Sequence, residues 1–173
     1  WHVPALTDPV SPALEVAMRV LGEGAGSRLQ ERLVRREGLA TQLVADAGWP
    51  GRREASLAVL VAVPAPGVEL AALEAAVLEE VARLREEGPS PTELAAARAA
   101  ARAELLHAMR DSAELAALLC EFEAKTGDWR DAFRRLLELE AVDSQEVRAV
   151  LARHFVRKQL TVATLVDATL APE

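Results

Sequence analysis

The first part of the chain combines a proline-containing segment with apolar residues at helical spacing. Residues 1–11 hold prolines and an Asp-Pro step, which indicate extended chain leading into a turn. Ser11 as N-cap and Pro12 at the first helical position predict a helix that runs to about Leu21, where Gly22 ends it. Its apolar face is formed by residues at helical spacing: Leu14, Met18 and Leu21.

A glycine-rich segment separates this helix from a second one. Residues 22–26, GEGAG, predict a flexible loop, because glycine adopts backbone conformations that other residues avoid. Ser27 is followed three residues later by Gln30, which is typical of a capping box. We therefore predict a second helix that begins at Ser27 and stops near Gly38.

Short apolar runs with β-branched residues predict strands. Two of them, Leu39–Ala47 and Glu54–Val63, are separated by the turn sequence GWPGRR, which favours an antiparallel hairpin. A third run near the end of the chain, Gln159–Val166, alternates in the same way and predicts another strand.

Helical periodicity dominates the region between the predicted strands. Leucine and valine residues at helical spacing predict a helix that ends at Gly88. The sequence Ser90-Pro91-Thr92-Glu93 is a capping box with proline at the first helical position, and it predicts a long helix reaching Phe122. Asp111-Ser112 marks an expected bend in that helix.

Two shorter helices are predicted after the Gly127-Asp128 break. One spans about Trp129 to Leu139, and the other, capped by Asp143 with Glu146, runs through Phe155. Strands near both ends with helices between them indicate an α+β domain with a mainly antiparallel sheet and helices packed on one face.

Composition narrows the classes of function. The 173 residues carry 27 acidic and 20 basic side chains, for a formal net charge of −7, which argues against a nucleic-acid partner. No apolar run approaches the ~18 residues of a membrane span, so we expect no membrane partner either. Cys120 is the only cysteine; we expect it to be a small buried apolar residue. These features favour the bacterial cytoplasm, with the periplasm as the open alternative.

Candidate catalytic and metal-binding residues are scarce. The three histidines, His2, His107 and His154, show neither His-x-x-Glu-His nor His-Glu-x-x-His spacing, so no helical zinc site is predicted. The chain contains no tyrosine, which excludes any mechanism that needs its phenol. We predict no catalytic residue and no metal ligand in this chain.

Two features have both a functional and a structural interpretation. The glycine loop lacks the spacing and the lysine of a phosphate site, so a connector is the favoured interpretation. Four arginines of the second helix recur on one predicted stripe: Arg28, Arg32, Arg35 and Arg36. This stripe either binds a carboxylate-rich peptide or partner, or it forms a solvated face whose arginines pair with glutamates. Glu79 and Glu80 are interpreted as solvated charges.

The motifs, taken together, resemble the second, non-zinc domain of the M16 zinc peptidases, a family that includes mitochondrial processing peptidase. The residues that carry the resemblance are Trp1-x-x-Pro4, Gly24-x-Gly26-Ser27-Arg28-Leu29, Glu37-Gly38-Leu39-Ala40 and Gly88-x-Ser90-Pro91-x-Glu93-Leu94. This resemblance implies the fold of LuxS and mitochondrial processing peptidase. We expect residues 1–173 to be a single inactive C-terminal domain, a fragment of a longer chain with its first strand truncated.

The resemblance also implies how such a domain takes part in peptide hydrolysis. In the family a zinc-bearing domain or partner chain hydrolyses the peptide, and the second domain helps to close the chamber around it. Active second domains lend an arginine and a tyrosine, whose positions here are Val34 and Thr41, so both are lost. The residues expected to contact substrate or partner are Gly24, Gly26, Ser27, Arg28, Arg32 and Arg35.

Three functions remain open at this point. The first is a non-catalytic peptidase domain that binds peptide and contacts a zinc-bearing domain. The second is a structural or assembly subunit of the same fold without peptidase activity, and the third is a binding module unrelated to peptidases. A homo- or hetero-oligomer is expected in each peptidase-like case, and the missing strand predicts self-association at a sheet edge.

Overall fold

The computed structural model describes residues 1–165, which form helices packed against a small antiparallel sheet. The strands are β1 (His2–Val3), β2 (Ala40–Trp49) and β3 (Ser56–Pro64). The α-helices are α1 (Ser11–Leu21), α2 (Leu70–Glu87), α3 (Pro91–Ala108), α4 (Ser112–Thr126), α5 (Asp131–Ala141) and α6 (Ser144–His154). None of the helices within this part of the chain combines the length and apolar character needed to cross a membrane.

The sheet has the strand order β1-β3-β2, and both pairings are antiparallel. The predicted hairpin is therefore confirmed. Side chains alternate across it, since Leu43 and Ala58 are buried toward the helices while Val44 and Val61, which face each other, are exposed. The α+β architecture predicted from the chain is confirmed by this arrangement.

Side-chain caps define several helix boundaries. The capping boxes of Ser90 with Glu93 and of Asp143 with Glu146 are both formed, as predicted. Asp111 accepts hydrogen bonds from the first backbone N–H groups of α4 and so begins a new helix. The expected bend at this point is a complete break, so the single long helix that was predicted is two helices, α3 and α4.

The core is centred on α1. Leu14, Met18 and Leu21 are fully buried, and the helix contacts β2 on one side and α3, α5 and α6 on the others. Leu84 of α2 and Leu151 of α6 complete the same apolar cluster. Because α1 is enclosed by so many elements, most of its surface leaves water when the chain folds.

Two predicted helix caps do not form, although helix does follow directly after Ser27 as predicted. Val10, rather than Ser11, occupies the N-cap of α1, and the buried Ser11 hydroxyl instead accepts hydrogen bonds from arginine side chains. The Ser27 hydroxyl donates to the Gly24 carbonyl, while the Gln30 amide donates to the Leu43 carbonyl, so their capping box does not form. Distant arginines compete for the Ser11 hydroxyl, whereas the nearby Gly24 carbonyl competes for Ser27 and the more distant Leu43 carbonyl for Gln30.

The second predicted helix is a π-helix over its main length, Gln30–Arg36. The Glu37 N–H donates to the Arg32 carbonyl at 2.9 Å, an i to i+5 bond. This wider winding rotates successive side chains differently from an α-helix. The four arginines predicted to share one stripe have different surroundings: Arg28 and Arg32 lie near Glu80, whereas Arg35 and Arg36 are exposed.

The predicted strand Gln159–Val166 is contradicted over the part that is described. Arg157–Gln159 form a 3₁₀ turn, and residues 160–165 form no strand; Val166 lies outside the described residues. Val162 and Leu165 are exposed, so alternation alone does not create a strand where no neighbouring backbone supplies hydrogen bonds.

The expectation that Cys120 is buried is also wrong. The thiol belongs to α4, a helix in which no residue is fully buried, and the side chain is exposed. Helix α4 packs against α3 and α5 through half-buried leucines on its other side, which leaves the cysteine facing solvent.

A buried ion cluster ties α1 to two distant segments. Oε2 of Glu15 lies 2.9 Å from Arg52 and 3.2 Å from Arg135, and both arginines also donate to the Ser11 hydroxyl. Burial raises the pKa of Glu15, but the positive charges of Arg52 and Arg135 outweigh it and hold that pKa below its usual value. The carboxylate is therefore ionised and paired inside the fold.

Glu23 lies at the beginning of the glycine loop, where its surroundings disfavour the ionised carboxylate. Burial is the main cause that raises the pKa of Glu23 to about 7, and the carboxylates of Glu15 and Glu104 add to it, although Arg19 at 3.7 Å opposes the shift. Ionised Glu23 is consequently disfavoured in the folded chain.

Glu23→Gln should reduce the dependence of stability on pH. A carboxyl group with a pKa of 4.5 in the unfolded chain and about 7 in the folded chain binds its proton more tightly when folded. The free energy of unfolding therefore falls as pH rises through this interval, and the variant lacks this loss. In denaturant unfolding between about pH 5 and pH 8, the free energy of unfolding of Glu23→Gln should increase relative to that of the wild type as pH rises.

The exposed Glu54 offers a control for this measurement. Glu54→Gln should leave the shape of the wild-type pH profile unchanged. Parallel profiles for the wild type and Glu23→Gln would contradict the assignment.

Gly22 permits the end of α1 to lie directly on the hairpin. A Cβ atom at this position would lie 2.6 Å from Cβ of Ala45 and 3.2 Å from Cδ2 of Leu43. Gly22→Ala should therefore lower the free energy of unfolding by about 1–3 kcal/mol through overpacking. Gly26→Ala is the matched control, because a Cβ there meets nothing within 4 Å, and we expect it to change stability by less than about 1 kcal/mol.

Denaturant unfolding of both glycine variants measures the difference. Equal effects at the two positions would show that backbone freedom of the loop, rather than the close approach at Gly22, governs its stability.

Candidate functional site

The glycine loop has an open tip and an anchored base. Gly24 has a positive φ of 82°, and no atom lies within 4 Å of a Cβ built at Gly24 or Gly26. At the base, Ser27 is buried and donates from both its hydroxyl and its N–H to the Gly24 carbonyl, at 2.9 and 3.2 Å. The loop therefore presents backbone at the surface while its C-terminal end is fixed.

Arg28 holds the start of the following helix against the α2–α3 junction. Its guanidinium makes a bidentate pair with Glu93, at 2.6 and 3.0 Å, and donates to the Gly88 carbonyl at 3.0 Å. Glu93 also accepts from the Ser90 N–H in the capping box. Burial raises the pKa of Glu93, but hydrogen bonds from Arg28 and Ser90 outweigh it and lower that pKa to about 2.

Arg32 forms a second set of pairs on the same side. Its guanidinium lies 2.7 Å from Glu79, 2.9 Å from Glu37 and 3.2 Å from Glu80. The hydrogen bond from Arg32 lowers the pKa of Glu79 and keeps its carboxylate charged. The side chain of Arg32 is thus committed to partners within its own chain.

Glu80 is the carboxylate on which these arginines converge. Its side chain is only 3% exposed, and it lies 3.2 Å from Arg32, 3.2 Å from Arg83 and 3.8 Å from Arg28. Three positive groups around one buried negative charge compensate for the loss of hydration. The interpretation of Glu80 as a solvated charge is wrong.

The sequence did contain a signal for this role. Glu80 stands four residues after Ala76 and four before Leu84, and both of these are buried on the inner face of α2. A carboxylate at that spacing lies among apolar residues, where it requires a cationic partner.

Arg35 and Arg36 point into solvent. Their side chains are 57% and 65% exposed; Arg35 lies 3.2 Å from Glu31, and Arg36 lies 3.9 Å from Glu37. Pairs of this kind at the surface are weak and exchange readily with other partners. The predicted stripe is therefore divided into two inward-paired arginines, Arg28 and Arg32, and two available ones.

Val34 and Thr41, the two family positions discussed above, have different surroundings. Val34 is half-buried against the apolar core. Thr41 is exposed at the beginning of β2, where its hydroxyl donates to the Val63 carbonyl at 3.4 Å. Neither side chain carries a charge or a phenol toward solvent.

Within the described residues, no three His, Cys, Asp or Glu side chains form a group suited to a metal ion. His107 is exposed and lies 3.7 Å from Glu114, while burial lowers the pKa of His154, whose Nε2 is enclosed. The arrangement as a whole offers guanidinium groups and loop backbone for binding. It assembles no nucleophile and base among the residues just described.

Comparison with known proteins places this geometry in context. A family model described as the peptidase M16 inactive domain matches residues 1–101. Comparison with curated protein sequences yields no significant match.

Solved structures share the fold. A protease from Helicobacter pylori superposes with a TM-score of 0.83 at 21% identity over 91% of this chain, which spans 38% of that protein. The inactive peptidase domain of a proposed zinc protease from Bordetella parapertussis gives a TM-score of 0.78 at 23% identity, covering 92% of this chain and 85% of that one.

A third structure, a peptidase M16 inactive domain from Pseudomonas fluorescens, has a TM-score of 0.69 at 18% identity and covers 87% of this chain and 35% of that one. These likenesses extend beyond residue 101 to the helical part of the fold. The family model also matches more than half of this chain. The chain therefore belongs to the family of peptidase M16 inactive domains.

Proposed function

We propose that this chain is the non-catalytic domain of an M16-type zinc metallopeptidase, where it forms part of the peptide-binding chamber and contacts partner domains. The observation that carries the proposal is the pair of exposed guanidinium groups, Arg35 and Arg36, in the last turn of the helix that follows the anchored glycine loop. These exposed groups can bind a peptide or a partner, and they belong to a domain whose family is described as inactive. We propose the bacterial cytoplasm as the location of the complete protein, with the periplasm as the open alternative.

Zinc does not fit the residues that the structure describes. The described residues bring together no set of donors for it, and the histidine spacing is wrong for a helical site. The hydrolytic zinc therefore belongs to another domain or to a partner chain, and no step of hydrolysis is assigned to residues here. What this chain contributes is binding and orientation.

The two kinds of arginine have separate tasks in this proposal. Arg35 and Arg36 meet carboxylates of the substrate or of the zinc-bearing domain, because their side chains are free to change partners. Arg28 and Arg32 keep the loop and the π-helix in place through Glu93 and Glu80. Gly24 and Gly26 offer exposed backbone at the beginning of the same segment, and the buried Ser27 fixes the base of their loop.

One observation favours a second candidate, a structural or assembly subunit without peptidase activity. Val34 and Thr41 occupy the positions where the family resemblance implies an arginine and a tyrosine, and the chain has no tyrosine at all. Hydrolysis of peptides by the complete assembly distinguishes the two candidates.

The chain by itself should hold no stoichiometric zinc and hydrolyse no peptide. After removal of chelators, elemental analysis should find far less than about one zinc per chain, because the ligand set is missing. An unstructured peptide incubated with the chain should remain intact, while the assembly with its zinc-bearing domain should cleave it. One tightly held zinc per chain would contradict the proposal.

Replacing Arg35 and Arg36 together by alanine should weaken substrate binding in the assembled peptidase. We expect KM for an acidic peptide to rise by about 3–10-fold with kcat unchanged, since two exposed ion pairs contribute equally to the bound substrate and to the transition state. Steady-state kinetics measures both constants.

Arg53, an exposed arginine in the turn between β2 and β3, supplies the matched control. Arg53→Ala should leave KM unchanged. An unaltered KM in the Arg35→Ala, Arg36→Ala variant would show that these residues do not contact the substrate. An assembly that holds zinc but hydrolyses no peptide would favour the structural subunit.

A further inference from the structure

The glycine loop contains one charged side chain, that of Glu23. Glu23 lies between Gly22 and Gly24, so the backbone on both sides of it is less restricted than in most of the chain. The N–H groups of Gly22 and Glu23 share one acceptor, the Met18 carbonyl, at 2.9 and 3.2 Å. The hydrogen bond that holds Glu23 on the end of α1 is therefore the longer of the two, and the tip of the loop beyond it is exposed.

Glu23 shares its nearest cation with two other carboxylates. Arg19 makes a bidentate pair with Glu104, at 2.7 Å for each bond, and donates to Glu15 at 3.4 Å. Its closest approach to Glu23 is 3.7 Å, between Nη1 and Oε2. Arg52, a second cation near Glu23, is paired with Glu15 at 2.9 Å. Both of the cations that face Glu23, from α1 and from the hairpin turn, thus bind another carboxylate more closely.

The position of Glu23 on α1 also disfavours its ionised form. The residue follows Gly22, the C-cap of α1, and so lies at the helix end whose carbonyl groups disfavour a nearby negative charge. Its side chain is 29% exposed. Burial, as the main cause, raises the pKa of Glu23 to about 7 in spite of Arg19, so the charge of this group changes near neutral pH.

We propose that the glycine loop is a pH-sensitive switch, in which protonated Glu23 keeps the loop closed on the end of α1 and ionised Glu23 releases it. Release moves the carboxylate into water and away from Glu15 and Glu104, while Arg19 keeps its closer partners. The switch goes beyond the proposed function and does not depend on it, because it concerns the conformation of the loop itself.

The two ends of the loop define which part moves. Gly22 is packed on the hairpin, where an added Cβ would lie 2.6 Å from Cβ of Ala45, and this contact keeps it in place. The buried Ser27 holds the Gly24 carbonyl at the other end. Opening therefore breaks the backbone hydrogen bond of Glu23 to α1, and the helix and the turn at Ser27 remain intact.

Hydrogen exchange of the Glu23 N–H, measured by NMR on the 173-residue chain, tests the switch. The pKa of Glu23 is about 7 in the closed loop and returns to its ordinary value of 4.5 in the open one, so the open fraction should grow as pH rises between these values. The protection factor corrects for the intrinsic pH dependence of exchange, and we expect it to fall by about 10-fold or more from pH 5 to pH 7.

The Gly88 N–H is the matched control within the same molecule. Gly88 is the C-cap of α2, and its N–H donates to the Leu84 carbonyl at 2.9 Å, as the Gly22 N–H does to Met18 in α1. Its protection factor should change by less than about 3-fold over the same pH range.

Three variants separate the ionisation of Glu23 from other effects of pH. Glu23→Gln has no group to ionise, so the protection of residue 23 should no longer change with pH. Glu104→Gln removes a negative neighbour and frees Arg19 for Glu23, which lowers the pKa of Glu23; the fall in protection should then shrink to about 3-fold or less. Glu54→Gln, in the exposed hairpin turn, should behave like the wild type.

Circular dichroism shows whether each variant is folded, and Glu23→Gln decides the result if Glu104→Gln is not. A loss of protection with pH that disappears in Glu23→Gln and shrinks in Glu104→Gln supports the switch. Constant protection of the wild-type Glu23 N–H would overturn it, because the carboxylate would then ionise without moving the loop. A loss that persists in Glu23→Gln, or that Gly88 shows equally, would overturn it as well.

Discussion

The burial of α1 is the constraint on which the rest of this fold depends. The helix is enclosed by β2 and by helices from the far end of the chain, yet it carries Glu15 in its middle and Arg19 in its last turn. A buried carboxylate requires cations that are already in place, and Glu15 finds them in Arg52 of the hairpin turn and Arg135 of α5. One ion cluster therefore sets where two remote segments must lie.

The same physical requirement determines the candidate binding surface. Glu80 is buried on α2, so Arg28 and Arg32 of the π-helical segment are drawn inward to neutralise it. Their commitment leaves Arg35 and Arg36 as the arginines of this segment available for contact. The binding surface that we propose therefore consists of the arginines that are not needed to neutralise buried carboxylates.

This division of tasks fits an inactive peptidase domain. Catalysis demands donors arranged around a reacting atom, whereas the described part of this chain arranges its charged groups in mutually neutralising pairs. The described residues that remain available for recognition are the exposed backbone of the glycine loop and the exposed guanidinium groups of Arg35 and Arg36. Each of these suits contact with another chain or a peptide rather than bond cleavage.

Local sequence determined much of the secondary structure. The capping boxes at Ser90 and Asp143 and the hairpin around GWPGRR were predictable because their partners lie within a few residues. The family motifs from Trp1 to Ala40 likewise identified the fold, since glycine and proline positions reflect backbone geometry directly.

Tertiary structure decided what depends on distant partners. Ser11 and Gln30 have the composition of helix-capping residues, but remote arginines engage the Ser11 hydroxyl and the Leu43 carbonyl engages the Gln30 amide. The run from Gln159 has the alternation of a strand, yet pairing requires a neighbouring backbone that its own sequence does not specify. Whether Arg28 binds a partner or Glu93 is likewise set by residues 65 positions apart. Periodicity records which face is apolar; it does not record which charges meet across the core.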